Sequence, residues 1–244
     1  MSPTSRTASL LPLLLFSLGL WILPTGCESG PEYAQMTEKE KAAKIKDLRE
    51  EAERQKALYS QSNDLAALES YVDLERESTK VSPTSCGFCF FRYGAALSRL
   101  GLYWKTLSAT FTRDVDEKDL APAEKAEYEA KASKYRDLAK EYFAKSNEQI
   151  QIYLTSGEPV DPQAYEWLAK QYDELGDYQK ALYYLDQLAA NVPLSAEDKR
   201  NVEALRKRYE ELKRRQEEAE FEREIEREPA RAGSPRRPRA EPAN

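Results

Sequence analysis

The side chains with the most chemistry to offer are three cysteines, Cys27, Cys86 and Cys89. Two of them stand in Ser85-Cys86-Gly87-Phe88-Cys89-Phe90, a C-x-x-C spacing at the expected start of a helix. Three chemistries fit that pattern. The pair can close a local structural disulfide in an oxidising compartment. It can be redox-active, because a helix N-terminus lowers the pKa of a thiol placed there. It can bind a metal, which demands further ligands. The chain has no histidine, and Cys27 has a separate use argued below, so a four-ligand site would need donors from outside the chain. A thioredoxin-like setting needs βαβ signals nearby, and the flanks of Cys86 and Cys89 read as helical. The structural and redox readings both remain.

The missing histidine reaches further. It removes a histidine general base, a Ser-His-Asp or Cys-His nucleophile, a histidine metal ligand and a haem attachment motif. Asp114, Asp116 and Asp119 cluster, but no glycine or closing glutamate stands where a calcium loop requires one. There is no glycine-rich phosphate cradle and no G-x-S-x-G elbow. The net charge of −6 leaves no basic footprint for nucleic acid. These absences lead to the expectation of a protein that is not an enzyme, with no cofactor, no metal and no small-molecule substrate.

The N-terminus gives Cys27 its use. Arg6 is followed by an apolar run from Leu10 to Leu23, which is short for a membrane span and matches the core of a secretory signal. The run ends in Leu23-Pro24-Thr25-Gly26-Cys27, which resembles a bacterial lipobox, with Pro24 where that motif usually has leucine. The resemblance implies cleavage after residue 26 and acylation of Cys27. It places the chain in a bacterial cell envelope, lipid-anchored on the periplasmic side of the inner or outer membrane. Residues 27–36 then read as a tether.

Behind the tether the chain reads as helices. Thr37 and Glu40 form a capping box before a helix with Ile45, Leu48 and Ala52 on one face. Leu65, Leu68, Tyr71 and Val72 complete a first hairpin. A second hairpin is expected from Phe90, Tyr93, Gly94 and Leu97, with a turn at Leu100-Gly101-Leu102-Tyr103, then Trp104, Leu107 and Phe111. Arg113–Asp119 reads as a loop. Pro122 opens a long helix to Leu154, and a third hairpin spans Pro162–Pro193. Ser195 and Asp198 start a last helix, almost wholly charged over 206–228, which reads as a solvated extension rather than a coiled coil. Residues 229–244, with Arg231, Arg236, Arg237 and Arg239, lack the apolar content to fold and are expected to be a disordered tail.

One segment, 162–195, carries a family likeness. Tyr165, Leu168, Ala169, Tyr172, Gly176, Tyr178, Ala181, Leu185 and Pro193 occupy the large, small and turn positions of a 34-residue tetratricopeptide repeat. Leu188 stands where that repeat usually has alanine. The pattern also makes sense physically. Ala169 and Ala181 let paired helices approach, Gly176 permits a left-handed turn, and Pro193 stops the second helix. The second hairpin resembles a degenerate copy, with Phe90, Tyr93, Gly94 and Leu97 on its first helix and Gly101 as the turn glycine.

The resemblance implies an all-α fold, with stacked antiparallel hairpins forming an α-solenoid over 37–205 and a long charged C-terminal helix. In that family the inner face of the first helix of each repeat binds extended peptides or partner helices. Carried over by position, that face is Gln163, Glu166, Lys170, Asp173 and Glu174 in the clear repeat, and Phe88, Phe91, Ala95, Ser98 and Arg99 in the degenerate one. The expected function is a membrane-tethered scaffold that binds envelope proteins or peptides. The alternative is a thiol–disulfide redox protein using Cys86 and Cys89.

Overall fold

The computed structural model describes residues 30–84 and 86–232, with side chains up to Arg223. The expected signal segment and acylation site Cys27, Arg236, Arg237 and Arg239 of the expected tail and the Arg231 side chain lie outside that description. Among the described residues every regular element is an α-helix: α1 (Glu38–Ser62), α2 (Leu65–Val81), α3 (Gly87–Glu117), α4 (Pro122–Thr155), α5 (Pro162–Leu175), α6 (Tyr178–Asn191) and α7 (Ala196–Ala232). None is long and apolar enough to cross a membrane.

Local chemistry sets most of the boundaries. Thr37 and Glu40 cap α1 reciprocally, with the Thr37 N–H donating to Glu40 at 2.7 Å. Asn63 ends α1 in the left-handed region at φ 55°, and Asp64 caps α2 by accepting the Ala66 N–H. Gly176 ends α5 at φ 74°, with open space for 4 Å around the point where a Cβ would stand. The Asp177 side chain accepts the Lys180 N–H to start α6. Ser195 and Asp198 do the same for α7.

The central pair departs from the expected second hairpin. No turn forms at Gly101: α3 runs unbroken for 31 residues through Leu100-Gly101-Leu102 and on to Glu117. Gly101 is a packing glycine instead. A Cβ there would lie 2.9 Å from the Phe143 ring and 3.3 Å from the Ala139 carbonyl oxygen of α4. Gly94 plays the same part against Ile150, at 2.6 Å. The expected loop at 113–119 is also largely helical, since Lys118 pairs back to Asp114 at 2.8 Å across one turn and only about four residues join α3 to α4.

Each helix packs chiefly on the next in sequence, and α3 with α4 forms the most extensive pair. Cross-contacts fix the directions. Tyr59 of α1 meets Tyr103 of α3, while Glu53 of α1 meets Arg92 of α3, so these two helices run parallel. Phe91 meets Trp167 and Lys105 meets Glu174, so α3 and α5 are parallel too. Asp173 joins α5 to Arg208 of α7.

Two apolar clusters form the body of the core. Leu68, Tyr71, Ala96, Leu97 and Leu100 join α2 to α3. Phe91, Ile150, Tyr153, Leu168, Ala181, Leu185 and Tyr209 join α3 through α7. The clear-repeat residues Leu168, Ala169, Ala181 and Leu185 are all essentially sealed from solvent. Burial of this kind contributes about 25 cal/mol per Å² of apolar surface removed from water.

One charged group sits inside this apolar frame. Glu75 has no exposed surface. Its carboxylate accepts from Arg92 Nε at 2.9 Å and from Nη2 at 2.6 Å, and Arg92 also donates to Glu53 at 2.8 Å. Burial opposes the Arg92 charge, but Glu75 and Glu53 hold its pKa above the ordinary arginine value.

Candidate functional site

Two places hold groups that the core does not need, and the first is the start of α3. A disulfide joins Cys86 and Cys89 there, with Cα atoms 5.3 Å apart. Cys89 is fully buried and Cys86 half-buried. The helix N-terminus beside them is already occupied: the Glu158 carboxylate, from the α4–α5 turn, accepts the Gly87 N–H at 2.6 Å and the Phe88 N–H at 2.9 Å. Orphan amides at a helix start favour a negative partner, and Glu158 supplies it. Gly87 makes the approach possible, because a Cβ there would lie 2.2 Å from Ser156 Oγ.

Arg49 of α1 completes this corner. Its Nη2 donates to Cys86 Sγ at 3.3 Å and to Cys89 Sγ at 3.4 Å. Its Nε is buried with no hydrogen-bond partner among the described residues, and its guanidinium lies 5.7 Å from the Phe88 ring centroid. Burial first, and the nearby Arg92 second, push the Arg49 pKa below its ordinary value. Neither Arg49 nor Glu158 stands out in the sequence; each is one charged residue among many on polar stretches.

Gly30 and Tyr33, ahead of α1, reach the same corner. Gly30 N–H donates to the Lys80 carbonyl at 3.1 Å, and Tyr33 donates to Glu77 at 2.6 Å. The Tyr33 ring and Cys86 pack on one small cluster of Ile45, Leu48, Val81 and Cys89.

The second place is a cleft of about 540 Å³ between α3, α4 and the end of α5. It exists because α5 ends at Leu175, level with Lys105, whereas α3 and α4 continue. Ala139 and Phe143 form its apolar floor, and Lys105, Arg113, Arg136 and Lys140 stand around it. Lys105 is paired with Glu174 at 2.6 Å, and Arg113 lies 4.0 Å from Glu117. Arg136 and Lys140 have no ion-pair partner among the described residues. Beyond the cleft the α3–α4 arm is held by aromatic contacts, Trp104 stacked on Tyr135 and Phe111 edge-on to Tyr128.

The residues expected to form one binding face are divided by the structure. Phe91 is buried, its ring packed on Tyr153 and Trp167; it belongs to the core because α3 passes straight through to meet α5. Ser98 is buried too. Phe88 stays partly exposed beside the disulfide. Asp173 and Glu174 are taken up by Arg208 and Lys105. Burial raises the Asp173 pKa against the opposing pull of Arg208. Glu166 and Lys170 pair with each other at 2.5 Å. Gln163, with Glu166, borders a separate hollow of about 350 Å³ against the start of α7. The acidic groove expected on α5 is therefore largely neutralised by neighbouring helices.

Among the described residues no group of three or more Cys, Asp or Glu side chains is placed to hold a metal ion. In comparisons with known proteins, the chain matches no family model, no curated protein and no solved structure.

Proposed function

We propose that this chain is a membrane-tethered adaptor of the cell envelope, built as a tetratricopeptide-like stack, that holds an acidic, partly apolar segment of a partner protein in the α3–α4 cleft. The single observation that carries the reading is the cleft itself, an apolar floor of Ala139 and Phe143 with two cations, Arg136 and Lys140, against one acid, Asp116, left without an ion pair among the described lining residues. A floor of that type takes apolar side chains, and rim cations steer an oppositely charged partner.

The solenoid reading draws support from the parallel course of α1, α3 and α5, with α7 joined to α5 through Arg208 and Asp173. The tethered reading draws support from geometry at the other end. Cys27 stands three residues before Gly30, a span of at most about 11 Å for an extended chain. An acyl group on Cys27 therefore anchors the disulfide corner near the membrane. A 31-residue helix such as α3 is about 46 Å long, so the cleft and the arm tip lie well away from that corner.

Charge reversal tests this. Replacing Arg136 and Lys140 together by glutamate should weaken co-purification of the partner at least about tenfold. Cys27→Ser should shift the protein out of the membrane fraction and leave the cleft's partner bound. Equal recovery of partner by the wild type and the double reversal contradicts the proposal.

A further inference from the structure

The corner around Cys86 contains a charge imbalance that a purely structural disulfide does not need. Arg49 is half-buried and its Nη2 points at two uncharged sulfur atoms. Its Nε has no hydrogen-bond partner among the described residues. The carboxylates nearest in electrostatic terms, Glu75 and Glu158, are committed elsewhere: Glu75 to Arg92, and Glu158 to the first amides of α3. A guanidinium taken out of water without a bonded anion is costly. What would balance it is a negative charge on sulfur.

We propose that Cys86–Cys89 is an exchangeable disulfide that oxidises dithiols, with Arg49 as the catalytic residue that holds the sulfur anion formed when the bond opens. The reading is independent of what occupies the α3–α4 cleft.

Exposure fixes the order of events. Cys89 is fully buried and Cys86 is the less buried of the two, so attack by the incoming thiolate is assigned to Cys86 Sγ. Attack there forms a mixed disulfide and breaks the Cys86–Cys89 bond, and the electron pair of that bond leaves on Cys89 Sγ. Arg49 lies within hydrogen-bond reach of that atom and pairs with the new charge. The second thiol of the dithiol loses its proton to solvent and attacks its own partner sulfur in the mixed disulfide. Cys86 is released as a thiolate, also within reach of Arg49, and protons from solvent complete the thiols. The dithiol is oxidised by two electrons, and the Cys86–Cys89 pair is reduced by two.

Glu158 acts in the opposite sense. In dithiol oxidoreductases the helix N-terminus itself stabilises the thiolate. Here a carboxylate occupies the Gly87 and Phe88 amides, so the helix end offers little to sulfur and its negative charge disfavours a second anion nearby. Arg49 and Glu158 therefore set the poise between them. The exposed Phe88 ring, flanked by Arg49, offers an apolar and cationic landing for the attacking chain.

The test uses the full chain purified in detergent, equilibrated in dithiothreitol redox buffers. Alkylation of the peptide carrying Cys86 and Cys89 is read by mass, separately from Cys27. In the reduced wild type one thiol should titrate below the ordinary cysteine value of about 8.5. Arg49→Met should shift the equilibrium towards the disulfide by roughly tenfold, the size expected for loss of one charge-assisted hydrogen bond. Arg49→Lys should restore most of that shift, and Glu158→Gln should move both readings the other way. A merely structural bond predicts the same equilibrium for Arg49→Met as for the wild type in a folded protein. Should Arg49→Met not fold, the wild-type titration decides alone: a reduced pair with both thiols at or above about 8.5 overturns the proposal.

Discussion

Arg92→Met is expected to lower the unfolding free energy by about 3–5 kcal/mol, the range found when one partner of a buried ion pair is removed. The reason lies in what remains. Glu75 has no exposed surface, and Arg92 makes three of its contacts, with donor–acceptor distances of 2.6 to 3.2 Å. Without that arginine the buried carboxylate is left with no bonded cation. The outward contact of Arg92 with Glu53 matters far less, because Glu53 is half exposed and such pairs contribute under about 1 kcal/mol. Replacing both partners, as Glu75→Met with Arg92→Met, should recover most of the loss, since apolar groups of similar volume often substitute for a buried pair at little cost. Urea denaturation of the three variants measures this. A loss below about 1 kcal/mol for Arg92→Met would show that Glu75 is solvated.

Gly101→Leu is expected to cost about 3 kcal/mol or more, whereas Gly176→Leu should cost only about 1. The two glycines occur in near-identical settings, Leu100-Gly101-Leu102-Tyr103 and Leu175-Gly176-Asp177-Tyr178. At Gly101 even a Cβ meets the Phe143 ring at 2.9 Å and a backbone oxygen at 3.3 Å. A leucine must therefore push α4 away from α3. At Gly176 the space is open, and the only penalty is the left-handed backbone at φ 74°. Thermal unfolding of both variants separates the cases, and equal losses at the two positions would contradict an unbroken α3.

That pair of glycines also shows what a sequence carries and where it misleads. The repeat likeness treats both as turns. The difference lies in the next residue. Asp177 accepts the Lys180 amide and starts a new helix; Leu102 has no such group, so nothing ends α3 there. Helix caps were legible for the same reason, as Thr37 with Glu40 and Ser195 with Asp198 show. The acidic run at 113–119 looked like a loop by composition, but its charges pair at helical spacing.

The site was harder to read because it depends on contacts far apart in sequence. Cys86 and Cys89 announce themselves, but Arg49 reaches Cys86 from 37 residues away, and Glu158 reaches the intervening Gly87 amide from 71. Glu75 did leave a trace. It continues the stripe of Leu68, Tyr71 and Val72 along the buried face of α2, and a carboxylate in such a stripe demands a partner. The groove expected on α5 failed to account for neighbouring helices that supply Lys105 and Arg208 to its acids. The cleft arises from helix lengths, since α5 stops where α3 continues, and the expected break at Gly101 concealed that.

The adaptor reading is tested most directly by a photoreactive residue placed on either side of α4 in living cells. At Lys140, on the cleft rim, it should give one discrete cross-linked adduct with a partner. At Lys134, exposed on α4 and outside the cleft, it should give none. Equal cross-linking from both positions, or none from Lys140, would contradict a partner seated between α3 and α4.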